Sequence, residues 1–354
     1  MKNAKKIIIT EFGSWHDECL YSLCMLLKQN SYYIILIANE SLRKKNGQNL
    51  ASVTDEIIYY PFGSTLKGFI ALWKFYLYLL RSNIVNLHIN TAQGSTAWKF
   101  FMLPLPKRIM ISGTLHYVKK LETSFGQRFI TNRINSYLLL SDLLLPHYKK
   151  ASLKPAIALY PIFYPDHPKT DLRKPENEIW ITVPGAISYT RRDYGILIPP
   201  AGQKYPKHIK FILLGNLHKG DGPAIYQNIK SHGLEQNFIC FEQFIPDSTF
   251  YSYIRQSDYI LPLVHPSLPA YEKYVTDKIS GSYNLAIAFR RPMLCPAEMA
   301  RYEDFKDTSF FYSTMHFFEF ICQMSGPPMT SDLYKLSKWK IEEQKRRISQ
   351  IYHP

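Results

Sequence analysis

Histidines and glycines recur where apolar runs give way to polar turns. Gly13-Ser14-Trp15-His16 follows the run KIIIT, His88 and Asn90 close IVNLHIN, and Gly113-Thr114-Leu115-His116 follows RIMIS. An imidazole titrates near neutrality and can exchange a proton with a reacting hydroxyl. His116 is the first candidate, because a Gly-Thr step after an apolar run sets it at a strand end. His16 and His88 lie at two other such ends, so the three could surround one ligand.

A second group suits anions. Val183-Pro184-Gly185-Ala186 precedes Arg191-Arg192-Asp193, a glycine turn beside two planar guanidinium forks that match phosphoryl oxygens. Gly215 ends the run FILLG. In Asp277-Lys278-Ile279-Ser280-Gly281-Ser282-Tyr283-Asn284 a Ser-Gly-Ser turn opens a helical stretch. Free N–H groups and the helix dipole at such a start can hold a diphosphate, with Lys278 adding a point charge.

Absent motifs narrow the chemistry. There is no Asp-x-Asp to bridge a metal, no GxxxxGK[ST], no GxSxG and no GxGxxG. His16-Asp17-Glu18 imitates the H-x-E of zinc deaminases, but no P-C-x-x-C follows. The five cysteines lack C-x-x-C spacing, which excludes a zinc ribbon and argues against a disulfide framework.

Short β-branched runs separated by helical periodicity predict parallel α/β structure. Expected strands in the first half are Lys6–Thr10, Tyr33–Ala38, Glu56–Tyr60, Ile84–Ile89, Arg108–Ile111 and Leu143–Pro146. Helices are expected over Glu18–Lys28, Leu66–Arg81 and Glu122–Leu140. The stretch from Pro155 to Pro175 carries five prolines and charges around Lys169–Lys174, which suits a linker. Strands are then expected at Ile179–Val183, Ile209–Leu214, Phe238–Phe241, Tyr259–Leu263 and Met293–Cys295. The intervening helices are Arg192–Pro199, one ending near His232, Ser248–Gln256 and Ser280–Phe289, with a last helix over Ser331–Tyr352. The reading is two doubly wound Rossmann-like domains facing a cleft, 1–160 and 161–330, with a terminal helix, 331–354, crossing back.

With 354 residues and 46% hydrophobic composition, the chain can bury two cores and is too apolar for disorder. The run from Phe69 to Leu80 is too short to span a bilayer, and the basic start at Lys2, Lys5 and Lys6 leads into only three isoleucines. A cytoplasmic protein is expected. Its net charge is +15, and between Pro61 and Lys150 there are 12 Lys/Arg against Glu122 and Asp142 alone. Basic residues interleaved with aromatics there predict contact with an anionic membrane surface, hence a peripheral place at its inner face. Nucleic acid is the less expected partner.

The order of these blocks resembles the GT-B glycosyltransferases, especially the family with an E-x7-E motif in its second domain. The matching pieces are the glycine turn after the first strand, Thr114-Leu115-His116, Ser141-Asp142, the proline-rich crossover, VPGAISYTRRDY, FILLGN, FIPDSTFYSYIRQSDYILPL and NLAIAFRRPMLC. The resemblance spans nearly the whole chain as pattern rather than identity. It departs where Asp277 takes the place of the first glutamate, Leu285 that of the second, and Arg290-Arg291-Pro292 that of Gly-x-Pro.

The resemblance implies metal-independent transfer of a sugar from a nucleotide-sugar donor to a saccharide or lipid-linked acceptor, in surface polysaccharide assembly. It places the donor at Gly185, Arg191, Arg192, Gly215, Ile245 (on the nucleobase loop), Lys278, Ser280, Gly281 and Asn284. His116 and Asp277 become the catalytic candidates, and Gly13, Trp15, His16, His88 and Asn90 the acceptor side. No cofactor is expected. The alternatives are a basic nucleic-acid-binding protein, a non-catalytic sugar-nucleotide-binding protein, and a sugar-nucleotide epimerase, which would need carboxylates at its site.

Overall fold

The computed structural model describes residues 5–168 and 170–352; Lys2 and Lys169 lie outside them. Two compact units emerge. The first joins Met1–Asp166, Thr276–Lys278 and Ser337–Pro354, the second His167–Val275 and Ile279–Leu336.

The first unit is built on a sheet of seven parallel strands: β1 (Lys5–Glu11), β2 (Tyr32–Asn39), β3 (Glu56–Tyr60), β4 (Asn86–Ile89), β5 (Met110–Thr114), β6 (Ser136–Leu139) and β7 (Ala156–Ala158). Their order is β3-β2-β1-β4-β5-β6-β7. Ile7, Ile8 and Ile9 are all fully buried, so β1 is covered on both faces, which is why it reads as a continuous apolar run rather than an alternation. Helix Asp17–Gln29 packs Leu20, Leu23, Leu26 and Leu27 onto the sheet, with acids in its first turn and Lys28 in its last. Phe75 of helix Leu66–Arg81 stacks on Phe100 at 5.1 Å on the same unit.

The second unit repeats the plan with six parallel strands: β8 (Ile179–Pro184), β9 (Ile209–Asn216), β10 (Phe238–Phe241), β11 (Tyr259–Ile260), β12 (Met293–Pro296) and β13 (Ser309–Tyr312), ordered β10-β9-β8-β11-β12-β13. Strand β13 has no counterpart in the sequence reading. Neither do β7, which lies inside the expected linker, and helices Glu40–Val53 and Ser95–Phe101.

Several expected elements are different. Glu122–Leu140 is not one helix. Helix Phe125–Arg133, capped by Ser124, gives way to β6, where Tyr137, Leu138 and Leu139 are buried. A short apolar run serves either element, and burial on both faces decides for the strand. Leu143–Pro146 is helical rather than extended, because Ser141 Oγ caps Leu143 N and Pro146 suits the start of helix Leu145–Ala151. Only a 3-10 turn, Tyr194–Leu197, forms where a helix over Arg192–Pro199 was expected. The terminal helix is Ile341–Tyr352 alone. Tyr334 ahead of it has φ 58 and donates its hydroxyl to the carbonyls of Arg291 and Ala286, which no continuous right-handed helix allows. The helix Ile341–Tyr352 buries Ile348 and Tyr352 in the first unit's core, and Arg347 pairs with Asp142 at 2.9 Å.

Candidate functional site

In each sheet the strand order reverses once, between β1 and β4 and between β8 and β11. Ligands of open parallel sheets bind beyond the carboxyl ends of the strands at that reversal. Both candidate sites follow from this rule, one in each unit.

In the first unit β1 ends at Glu11, a residue the sequence reading passed over. Its carboxylate is 1% exposed and accepts hydrogen bonds from Gly13 N (2.7 Å), Asn90 Nδ2 (2.7 Å) and Thr91 Oγ1 (2.6 Å). Burial pushes the carboxyl above its ordinary range, against the pull of those three donors. The loop it braces carries His16 in the left-handed region at φ 64, a conformation that costs a non-glycine residue about 1–2 kcal/mol. That turn lays the His16 ring on His116, with centroids 3.8 Å apart and planes at 14°.

His116 is half-buried and fixed from three sides. Its N–H and that of Tyr117 donate to Gln93 Oε1, each at 3.0 Å, and its Nε2 donates to the Asn90 carbonyl at 2.9 Å. With the proton on Nε2, Nδ1 is left as an acceptor, and it is buried without a partner among the described residues. Burial, reinforced by the neighbouring His16, holds His116 well below the usual imidazole range, and burial also lowers His16. Both imidazoles are thereby disfavoured as cations, and His116 keeps Nδ1 as an unprotonated acceptor.

The other first-unit candidates differ. His88 is fully buried between Ser112 Oγ (2.9 Å), Thr114 Oγ1 (3.0 Å) and Tyr352 OH (2.8 Å), and burial lowers it to about 3. It is a core residue that offers no surface to an acceptor, which corrects its place on the acceptor side. Asn90 is 1% exposed and acts on Glu11 and His16 rather than on solvent. Gly13 donates its N–H to Glu11, whereas Trp15 stands out at 73% exposure. Asp277 and Lys278 group with this unit, where the Asp277 carbonyl accepts from Val118 N at 2.8 Å, two residues past His116.

In the second unit β8 runs into Gly185 at φ 101. A side chain on Gly215 would meet the Gly185 carbonyl at 2.6 Å, so this glycine lets the turn close over β9. Arg192 was expected to bind phosphate directly. Instead it is 8% exposed, and its guanidinium donates to the carbonyls of Ala186 (2.7 Å) and Pro184 and to Ser282 Oγ (3.3 Å). It ties the glycine turn to the first turn of helix Gly281–Phe289, and Arg191 is the exposed member of the pair.

Ser280 caps that helix by accepting from Ser282 N at 3.3 Å. Gly281 is exposed, with nothing within 4 Å of where a side chain would start. Asn284, one turn in, is 3% exposed with Oδ1 unpartnered among the described residues. Leu285 is buried as an apolar packing residue, and Arg290 takes the left-handed cap at φ 49 that glycine usually fills. Ile245 buries its side chain, leaving the exposed Phe244 as its loop's apolar surface. Beyond β11 lies a chain the sequence did not reveal: Tyr312 OH to His265 Nε2 at 2.6 Å, and His265 Nδ1 to Asp193 Oδ2 at 3.1 Å. The His265 bond lowers Asp193 below the usual carboxylate range.

No family model matches the sequence, and no curated protein sequence matches it. Solved structures do match over nearly the whole chain. A glycosyltransferase from Rickettsia africae aligns at 12% identity and TM-score 0.63, covering 99% of this chain and 98% of its own. The fold is GT-B. The Anabaena protein HepE, solved with UDP and glucose, matches this GT-B chain at 12% identity and TM-score 0.60, with 99% of each covered. A UDP-GlcNAc 2-epimerase from Neisseria meningitidis, bound to UDP-GlcNAc, matches at 11% and 0.57, covering 98% of this chain and 99% of its own.

Proposed function

We propose that this chain transfers a sugar from a nucleotide-sugar donor to a saccharide or lipid-linked saccharide acceptor, in surface polysaccharide assembly and without a metal. The observation that carries the reading is the second unit's open helix start. Gly281 is exposed, with nothing within 4 Å of where a side chain would start, and Arg192 ties that turn to the Gly185 loop. Such a start binds the diphosphate of a donor and stabilises the charge that develops on it as the sugar departs. Arg191, exposed in the same unit, adds positive charge, which takes the part a metal plays where Asp-x-Asp is present. HepE, described with UDP and glucose, supports a donor of this class. In the first unit, His116 and His16 exchange the acceptor's proton, and the buried Glu11 fixes the loop that holds them.

Calorimetric titration of the full chain with nucleoside diphosphates and their sugars tests the donor half. Gly281→Val fills the open space at the helix start without touching a packed atom. Donor binding by the wild type, at least about tenfold weaker in Gly281→Val at an unchanged melting temperature, is expected. Equal affinity in the two, or no nucleotide bound by the wild type, contradicts the assignment.

One observation favours a second reading. Epimerisation needs a carboxyl group at the site, and Glu11 brings one to the end of β1, beside the loop that carries His16. In that case the nucleotide sugar itself comes back with a changed ring carbon, which proton NMR of the recovered donor detects.

A further inference from the structure

Helix Leu66–Arg81 carries two apolar faces. One, with Ala71, Leu72, Phe75, Tyr76 and Leu79, is buried in the first unit. The other is left exposed among the described residues: Leu66 is 75% exposed, Phe69 52%, Ile70 46%, and Trp73, Leu77 and Leu80 40–41%. At about 100° per residue these six side chains fall within an arc of about 100°. Lys67, Lys74 and Arg81, all exposed, follow within roughly the next 60° on one side. The stripe is therefore apolar along its centre and basic along one margin. A soluble surface rarely presents so many large apolar side chains in one row.

The row is held rigidly. Thr65 Oγ1 caps the helix at Gly68 N, and the Arg108 guanidinium donates to the carbonyls of Leu79 (3.0 Å), Leu80 (3.2 Å) and Ser82 (2.7 Å) at its end. Just beyond, Val85 and Met110, joined by a 2.7 Å backbone bond, are 48% and 47% exposed. No helix among the described residues is long and apolar enough to cross a membrane.

We infer that the outward face of helix Leu66–Arg81 lies in the interface of an anionic lipid bilayer. The six apolar side chains enter the headgroup–acyl boundary, and Lys67, Lys74 and Arg81 meet lipid phosphates. Charge selects this occupant. No Asp or Glu occurs between Glu56 and Glu122, so the helix and the segments after it carry only positive charge. A second copy of so basic a face would repel the first, whereas anionic headgroups attract it. The inference is independent of the sugar-transfer reading, because it rests on a different face of the first unit and its test needs no substrate.

Flotation with vesicles of phosphatidylcholine containing phosphatidylglycerol, against phosphatidylcholine alone, tests it on the full chain. The wild type floats with the anionic vesicles and releases at high salt. Phe69→Gln/Trp73→Gln/Leu77→Gln alters only exposed side chains, keeps its melting temperature and binds at least about tenfold more weakly. Lys67→Gln/Lys74→Gln/Arg81→Gln loses about a hundredfold, about fivefold for each charge. Brominated acyl chains quench part of the tryptophan emission, and Trp73→Phe removes that part. Equal flotation with neutral vesicles, unchanged flotation of the apolar triple variant, or no flotation of the wild type overturns the inference. So does a wild-type dimer that the apolar triple variant disperses without any vesicle binding.

Discussion

The rings of His16 and His116 stack 3.8 Å apart, and the contact exists because His16 adopts a left-handed backbone at φ 64. Glu11 makes that turn affordable. Its buried carboxylate holds the Gly13 N–H at the start of the loop and Asn90 Nδ2 at the end of β4, and Asn90 Nδ2 also reaches the His16 carbonyl at 3.3 Å. Strain at His16 and burial at Glu11 are both unfavourable taken alone, and together they fix one imidazole pair.

Replacing His116 by Ala should leave nucleotide-sugar affinity near the wild-type value and lower the transfer rate by about 10² or more, the usual effect of removing a positioned acid or base. Single-turnover kinetics beside calorimetry separate the two. A parallel loss of stability and rate would instead make His116 a packing residue.

Glu11→Gln keeps the shape but turns one acceptor into a donor facing the Gly13 N–H or the Thr91 hydroxyl. It should cost about 1–3 kcal/mol in chemical denaturation, the penalty of buried polar groups left mismatched. The imidazole stack should loosen with it, which the His16 and His116 ring resonances in NMR would report.

Stability should fall as the medium is acidified. His88 is held near 3 in the folded chain against an ordinary 6.5, so the unfolded chain takes up a proton that the native core refuses. Between those values the contribution is lost as pH drops, by about 1.4 kcal/mol per pH unit. His16 and His116, both lowered, act in the same sense. Glu11 acts oppositely, since a carboxyl that retains its proton loses its contribution as pH rises through its folded value. Denaturation of His88→Gln at several pH values should show a slope shallower by one proton.

Arg191 and Arg192 should separate cleanly. Arg192→Ala removes the donor from buried carbonyls at Pro184 and Ala186 and should destabilise the second unit by about 3 kcal/mol. Arg191→Ala, at an exposed position, should leave stability within about 0.5 kcal/mol and weaken nucleotide binding. Thermal melts and titrations of both variants check the division.

The two sheets were legible because parallel strands covered on both faces, such as KIIIT and IWITV, are written as unbroken apolar runs. What was missed lacked that signature. Helix Glu40–Val53 has only Leu42, Leu50 and Val53 buried and carries Asn46 out of helical geometry, so its periodicity is faint. The run SYLLLSDLLLP holds a strand and then a helix, and apolar residues alone do not mark the switch that Ser141 makes by capping. At the sites, glycines and histidines stood out by type, but Glu11 and Asp193 did not, because a single acid at a strand end means little until its partners are known. Arg192 stood out for the wrong reason. The sequence shows its charge and not the three acceptors from Pro184, Ala186 and Ser282 that already surround it.

Turnover of a nucleotide sugar carrying labelled sugar, in the presence of lipid-linked saccharide acceptors, tests the central claim most directly. The account predicts acceptor-dependent release of nucleoside diphosphate, with the label in the elongated acceptor and the reaction surviving excess chelator. Donor recovered intact with every acceptor offered, donor recovered with an inverted ring carbon, or a reaction stopped by chelator and restored by Mg²⁺ or Mn²⁺ would contradict it.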